Sequence, residues 1–397
     1  MFFFLKSIEN KAYIFSRFIS VSIKPLMLFL CLALGYQEFA TIIAMVFLVS
    51  SVNMMLCSVP IFRDFFINFN NKSVLKKNYF RHKYKSQIII IFLISLVFTI
   101  PINQFFGNSI EVFICSLLIF SVDKIYDEIQ RLLILKKDFN AWSTITNLKN
   151  LTLVIFLFNP FININIIYIG IIYFFINFFK QYTYIYLSFN FNLKKEIKKF
   201  NSSILKNKKI YMMNYFLLFY TIGDKIVIGK NFKENLAEYI FLSNIFSMPL
   251  LFILFFYLSK YRAEFVNNLI GFKDVLFSKR FNYLLISTFS LVFVIVMFYY
   301  NLNFSKFSLV SMILLLLIYL IKAYSLILDE IVYWKSFYKD FLFFEFLFFI
   351  LFVLVILLTS YLDLTLDTFL PILLILFFVK FISKMIIFIK KKSVLNQ

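Results

Sequence analysis

Residues 340–361 read DFLFFEFLFFILFVLVILLTSY, an almost unbroken apolar segment. The hydrocarbon core of a bilayer is about 30 Å thick, and ~20 helical residues that rise about 1.5 Å each are enough to cross it. The rest of the chain is similar, because 62% of its 397 residues are hydrophobic and only 15% are charged. Soluble domains average roughly 45–50% apolar and about 25% charged residues. The sequence therefore predicts an all-α integral membrane protein.

The same length criterion predicts twelve transmembrane helices. Their predicted limits are 12–34, 38–60, 86–106, 110–135, 143–161, 164–189, 210–230, 236–258, 281–301, 308–334, 340–361 and 364–388. A basic loop at 190–209 separates two sets of six helices. We therefore predict three regions, which are an N-terminal lobe at 1–190 with helices 1–6, a basic cytoplasmic linker at 191–209, and a C-terminal lobe at 210–397 with helices 7–12.

The distribution of basic residues orients these helices. The chain carries 41 Lys and Arg against 20 Asp and Glu, a net charge of +21. With twelve spans, the loops 61–85, 190–209 and 259–280 lie on the side of both termini and hold 7, 7 and 5 basic residues. The opposite loops, together with Lys230 at the end of span 7, hold three in all. Cytoplasmic loops of membrane proteins are enriched in Lys and Arg. Both termini are therefore predicted to be cytoplasmic.

Twelve charged residues are predicted to lie within the spans beyond easy reach of water, where an ionised side chain near the bilayer centre costs ~2.5–3.5 kcal/mol. The cations are Lys24, Lys124, Arg131, Lys180, Lys225 and Lys322, and the anions are Asp123, Asp127, Glu128, Asp224, Asp329 and Glu330. We predict that they face a central cavity or each other. Lys149, Lys380 and Lys384 are left out of this set, because a long side chain near a helix end can reach the membrane surface.

The densest group of charges is in predicted span 4. Asp123, Asp127 and Arg131 are four residues apart, as are Lys124 and Glu128, so all five share one arc of the helix. Two interpretations stay open, a polar stripe that faces the cavity and a helix end in the cytoplasmic headgroups. Trp142, which follows this segment, is predicted to be an interfacial anchor.

Other charges are isolated or adjacent. Asp224 and Lys225 are neighbours between two glycines, Gly223 and Gly229, which allow close helix approach or a bend. Lys322 and Asp329 are seven apart and share a face of span 10. Lys24 and Lys180 have no carboxylate on their own helices, so each needs a partner from another helix or an anionic substrate.

Several catalytic signatures are absent from the sequence. It has no GxxxxGK[ST] phosphate loop, no HExxH, no CxxC and no GxSxG. ATP hydrolysis, zinc or redox chemistry and serine hydrolysis therefore have no motif to support them. We predict a protein that is not an enzyme and needs no cofactor or metal.

Two segments carry a resemblance to a known family. Residues 220–241, YTIGDKIVIGKNFKENLAEYIF, are similar to the seventh helix, and residues 127–143, DEIQRLLILKKDFNAWS, to the fourth helix, of the O-antigen and polysaccharide flippases of the multidrug/oligosaccharidyl-lipid/polysaccharide exporter superfamily. The resemblance implies a V-shaped, two-lobed bundle with alternating access. It also implies transport of undecaprenyl-pyrophosphate-linked oligosaccharide units, of the O-antigen or capsular type, to the outer leaflet of the bacterial cytoplasmic membrane.

Three other functions are consistent with the sequence. They are a drug or cation antiporter of the same fold, a membrane enzyme such as a polysaccharide polymerase or lipid-linked glycosyltransferase, and a structural membrane scaffold. For the flippase, the expected partners are the lipid-linked oligosaccharide, membrane lipid and the polysaccharide polymerase machinery, with no nucleic acid. Cavity Lys and Arg would hold the diphosphate, and Tyr side chains would contact the sugars.

Overall fold

We describe the fold from a computed structural model of the chain. It describes residues 8–56, 97, 99–136, 139–162, 164–182, 208, 212, 215–216, 220–252, 279–301, 307–334, 338–362 and 364–395. Every element assigned within these ranges is helical, and none of them is a β-strand. The chain divides into two compact units, unit 1 (Met1–Leu218) and unit 2 (Phe219–Gln397).

Unit 1 is built from long helices that pack side by side. Those described are α1 (Ile8–Ala33), α2 (Gln37–Leu56), α3 (Ile110–Lys136), α4 (Phe139–Leu153) and α5 (Ile166–Tyr182). Helix α3 packs against α2 and α5, and α1 packs against α4. A glycine allows α5 to approach α3 closely, because a Cβ on Gly170 of α5 would lie 3.2 Å from Cys115 Sγ on α3.

Unit 2 has the same kind of construction. Its described helices are α6 (residues 220–231), α7 (Leu236–Phe252), α8 (Lys279–Asn301), α9 (Leu309–Trp334), α10 (Tyr338–Tyr361) and α11 (Leu366–Leu395). Helix α9 packs against α7 and α11, while α7 also contacts α8, and α10 contacts α11. Helix α9 is thus the element to which α7 and α11 both attach.

Hydropathy predicted the first and last residues of several helices closely. The predicted spans 110–135, 308–334 and 340–361 end within two residues of α3, α9 and α10. Predicted span 3 lies largely, and the linker at 191–209 almost entirely, outside the described residues. Helix α11 continues to Leu395, seven residues beyond the predicted end of span 12.

The predicted span 143–161 is not one continuous α-helix. Helix α4 ends at Leu153, and the chain continues as a 3₁₀ turn, Val154–Phe158, and a single helical turn, Asn159–Ile162. Pro160 has no backbone N–H with which to bond the carbonyl four residues earlier. The preceding N–H, that of Asn159, bonds the carbonyl of Phe156, three residues back, which is the tighter 3₁₀ spacing.

Among the described residues, three helical segments are long and apolar enough to cross a membrane, judged by length and composition. They are Gln37–Met54, Phe341–Tyr361 and Leu366–Ile387. The last two have only 22% and 28% of their residues buried within the protein, whereas Gln37–Met54 has 61%. Apolar surface on this scale is unfavourable in water and is typical of helices that face lipid. The fold is therefore compatible with a membrane protein.

The prediction that Trp142 is an interfacial anchor is also wrong. Its side chain is fully buried in unit 1, where it packs with Tyr126, Ile129 and Ile145. Tyr126 and Ile129 belong to α3, and Trp142 and Ile145 to α4. Trp142 is therefore a core residue that holds these two consecutive helices together.

Candidate functional site

The first cluster of buried charges, in unit 1, is centred on Asp123. Lys149 Nζ of α4 donates a hydrogen bond to Asp123 Oδ1 over 2.8 Å. Lys24 Nζ of α1 lies 3.5 Å from the other carboxylate oxygen, Oδ2. Asp123 of α3 therefore connects three helices, because its two cationic partners belong to α1 and α4. We refer to Lys24, Asp123 and Lys149 as the unit 1 triad.

Aromatic rings lie beside both lysines of the triad. Its ammonium group lies 4.1 Å from the centre of the Tyr126 ring, within the range of a cation–π contact. The Tyr126 hydroxyl is hydrogen-bonded to Thr146 Oγ1, one turn before Lys149 on α4. Lys24 lies 4.8 Å from the ring centre of Phe47 on α2. Each lysine of the triad is therefore held between a carboxylate and a ring.

The second cluster, in unit 2, is centred on Asp224, whose side chain is fully buried. Its Oδ2 atom accepts hydrogen bonds from Lys322 Nζ at 3.0 Å, Tyr239 Oη at 2.9 Å and Tyr319 Oη at 3.2 Å. Its Oδ1 atom has no hydrogen-bond partner among the described residues. A carboxylate out of water requires such compensation, since an unpaired buried charge costs several kcal/mol. Asp224 thereby ties α6 to α7 and α9.

Gly223 brings the helix of Asp224 against α10. A Cβ built on Gly223 would lie 2.7 Å from two ring carbons of Phe352. Real Cβ atoms do not approach so closely, and Phe352 is itself fully buried, so its ring has little room to move. The expectation that this glycine allows close helix approach is confirmed.

The third cluster contains four charges from three helices of unit 2. Glu345 of α10 lies 2.7 Å from Lys380 Nζ and 2.6 Å from Lys384 Nζ, both on α11. Lys384 also pairs with Asp329 of α9. Glu345 and both lysines are fully buried. We refer to these residues as the unit 2 tetrad.

An aromatic residue of α6, Tyr220, contacts this tetrad. Lys380 Nζ is 3.9 Å from the ring centre of Tyr220 and 4.2 Å from that of Phe348. Tyr220 in turn contacts the ring of Phe377 edge-on at 5.1 Å, and Lys322 Nζ lies 4.6 Å from that ring. Rings of α6, α10 and α11 therefore connect the two charged clusters of unit 2.

Three basic residues that were predicted to lie at the surface are buried in the structure. Lys149, Lys380 and Lys384, which we expected to reach the surface, are buried and ion-paired. Glu345 was not singled out, although it is the one charge in the apolar run 341–361. A second signal was the spacing of Lys380 and Lys384, one turn apart on α11. Such a pair can face the same carboxylate on a neighbouring helix.

The structure also shows how the charges of unit 2 pair. Lys322 and Asp329 share α9, but Lys322 pairs with Asp224 and Asp329 pairs with Lys384. Lys225, adjacent to Asp224 in the sequence, donates to Asn244 Oδ1 over 3.2 Å. These charged residues therefore interact mainly with residues of other helices and not with residues of their own helix.

The remaining predicted site residues have the following positions. Lys124 is buried, and Asp127, one turn further along α3, is partly exposed. The side chains of Glu128, Arg131, Lys180 and Glu330 lie outside the described residues. Lys24 and Asp123 are brought together by the fold, as are Asp224 and Lys322. No group of three potential metal-ligating side chains occurs in the part of the chain that the structure describes.

Comparison with known proteins adds no assignment to these clusters. The chain gives no match to a protein-family model, to a curated protein or to a solved structure.

Proposed function

We propose that this chain is a flippase that moves undecaprenyl-pyrophosphate-linked oligosaccharide units from the inner to the outer leaflet of the bacterial cytoplasmic membrane. Apolar helices of sufficient length and the sequence resemblance of residues 127–143 and 220–241 support this proposal. In the proposed orientation both termini are cytoplasmic. No hydrolytic or redox chemistry by the chain itself is required.

The observation that carries the proposal is the unit 1 triad. Two lysines surround one carboxylate inside a unit whose interior is otherwise mostly apolar. A diphosphate that crosses hydrocarbon needs desolvated cationic donors to replace its water. Lys24, with 29% of its side chain exposed, is the triad lysine with room for another anion. An anionic headgroup therefore suits this site better than a cationic drug does.

The clusters of unit 2 have a different role in this proposal. Lys322 and Asp224 are within 3.0 Å and almost completely buried, so this lysine is a counter-ion of the carboxylate. The unit 2 tetrad balances two acids with two lysines. We assign these charges to the integrity of unit 2 and not to direct contact with the substrate.

Complementation tests the proposal. The gene is expressed in a strain that lacks its polysaccharide flippase, and surface polysaccharide is measured together with protein abundance in the membrane. We expect restoration by the wild-type chain and by Lys233→Ala, which removes an exposed lysine, and a loss of about ten- to a hundredfold with Lys24→Ala.

Three results would contradict the proposal. They are failure of the wild-type chain with several different polysaccharide substrates, full activity of Lys24→Ala at normal abundance, and export of cationic dyes without any restoration of polysaccharide. The last of these would identify an antiporter.

A further inference from the structure

The two ion pairs of the unit 1 triad are unequal. The pair between Lys149 and Asp123 is 2.8 Å long, and each of its side chains is 10% exposed. The pair between Lys24 and Asp123 is 3.5 Å long, and the lysine side chain is 29% exposed. The first is a buried, hydrogen-bonded pair, whereas the second is long and partly open to the surroundings. Breaking the second pair leaves Asp123 in its hydrogen-bonded pair with Lys149, whereas breaking the first leaves it only the longer contact with Lys24.

The surroundings of the two lysines strengthen this difference. Lys149 rests on the Tyr126 ring, which is itself hydrogen-bonded to Thr146 on the same helix as Lys149. Lys24 has the more distant ring of Phe47 beside it. Lys149 therefore keeps Asp123 neutralised whether or not Lys24 stays in contact.

Further polar groups lie in the same unit. Ser50 and Asn53 follow Phe47 by about one and two turns of α2, and both are buried. The Ser50 hydroxyl and the Asn53 amide have no hydrogen-bond partner among the described residues, and the same holds for Asn150 Nδ2 beside Lys149. Buried polar groups are normally hydrogen-bonded, so these donors are available to an oxyanion or to water.

We propose that Asp123 is an internal substitute for the phosphate of the substrate. In the empty protein its Oδ2 atom neutralises Lys24. When a phosphate or diphosphate ester enters unit 1, Lys24 exchanges Asp123 for a phosphate oxygen, and Asp123 stays paired with Lys149. The inference rests on the proposed function, because it names how that site takes the anionic end of a lipid-linked substrate.

The exchange makes opposite predictions for the two partners. Lys24→Ala removes the ligand of the anion and should weaken binding about ten- to a hundredfold, and Lys24→Arg should restore part of it. Asp123→Asn removes the competitor and should strengthen binding by about two- to fivefold, which is the strength of a partly exposed ion pair. A structural role of the triad would weaken binding in both variants.

Direct binding is measured with the full chain purified into phosphatidylcholine nanodiscs. The probe is farnesyl diphosphate, titrated calorimetrically, with farnesol and inorganic diphosphate as separate arms. Lys233→Ala and Glu38→Gln are the matched controls, an exposed lysine and an exposed acid. Thermal unfolding of each variant is recorded in parallel. If Asp123→Asn does not fold, Lys24→Ala still tests the proposal, because it leaves the 2.8 Å pair intact.

We expect farnesyl diphosphate to bind and farnesol not to bind, with the opposite changes for the two triad variants. Binding of inorganic diphosphate with equal affinity would support the exchange and assign the site to the free anion. Wild-type affinity in Lys24→Ala, or weaker binding in a folded Asp123→Asn, would overturn it. Binding is measured without transport, so loss of the flippase proposal in the complementation test would leave this result unaffected.

Discussion

Replacing Glu345 by glutamine should destabilise unit 2 strongly, because Glu345 pairs with both lysines of the tetrad. The substitution keeps the shape of the side chain and removes the carboxylate that lies 2.7 Å from Lys380 and 2.6 Å from Lys384. Lys384 still has Asp329, but Lys380 loses the one carboxylate with which it forms an ion pair among the described residues. Breaking a buried pair by removing one partner costs ~3–5 kcal/mol.

Replacing Lys380, the partner of Glu345, should reduce the stability of unit 2 by a smaller amount. In Lys380→Met, Glu345 keeps Lys384, so we expect a loss of ~1–3 kcal/mol. The double variant Glu345→Gln/Lys380→Met leaves the pair of Lys384 and Asp329 intact and places an apolar side chain on the rings of Tyr220 and Phe348. Replacing a buried pair by packed neutral groups is often neutral, so its stability should be within ~1 kcal/mol of wild type.

The assay is the loss of the monodisperse size-exclusion peak after heating in mild detergent. For a unit of roughly this size, ~3–5 kcal/mol corresponds to a fall in midpoint temperature of ~6–20 °C. Lys233→Gln, at an exposed lysine of the same unit, is the control and should shift the midpoint by at most a degree or two. A Glu345→Gln variant as stable as wild type, or a double variant as unstable as the worse single one, would refute the reasoning.

Three further predictions concern other parts of the chain. Gly223→Ala should cost ~1–3 kcal/mol through the contact with the Phe352 ring, and Phe352→Leu should recover part of this loss in the same heating assay; no loss would contradict the packing. Lys322→Ala should lower membrane abundance, and Asp224→Asn in addition should restore it, whereas rescue by Asp329→Asn would favour the pairing along α9. Reporter fusions at residues 200 and 397 should both give a cytoplasmic signal, and a periplasmic signal at either would disprove the twelve-span topology.

The helices were predictable because their signal is local. Residues 340–361 need no knowledge of any other segment to be identified as a long apolar helix, and the structure begins α10 at Tyr338 and ends it at Tyr361. The interruption after Leu153 was also local, since Pro160 removes an N–H that an α-helix requires. The apolar length of 143–161 alone therefore did not predict this interruption.

The burial of lysines was not predictable by the same reasoning. Whether Lys380 extends to the membrane surface or turns inward depends on what the adjacent helix offers. Glu345 lies 35 residues earlier in the sequence, and no periodicity within α11 reports its presence. The rule that long cations reach the surface describes a helix alone in lipid. A carboxylate at 2.7 Å stabilises the ammonium group of Lys380 in the protein interior.

The number of cations around each buried acid determines whether loss of a lysine should affect protein stability or substrate binding. In unit 2, three interior acids, Asp224, Glu345 and Asp329, pair with Lys322, Lys380 and Lys384 respectively. Removing one of these lysines leaves an acid undercompensated, so the variant should lose abundance first and activity as a consequence. In unit 1, Asp123 pairs with both Lys24 and Lys149, so Lys24 can be removed while the acid stays paired. Activity normalised to the amount of folded protein should therefore fall for Lys24→Ala and stay near wild type for Lys380→Met, because only the former removes a group that the substrate would contact.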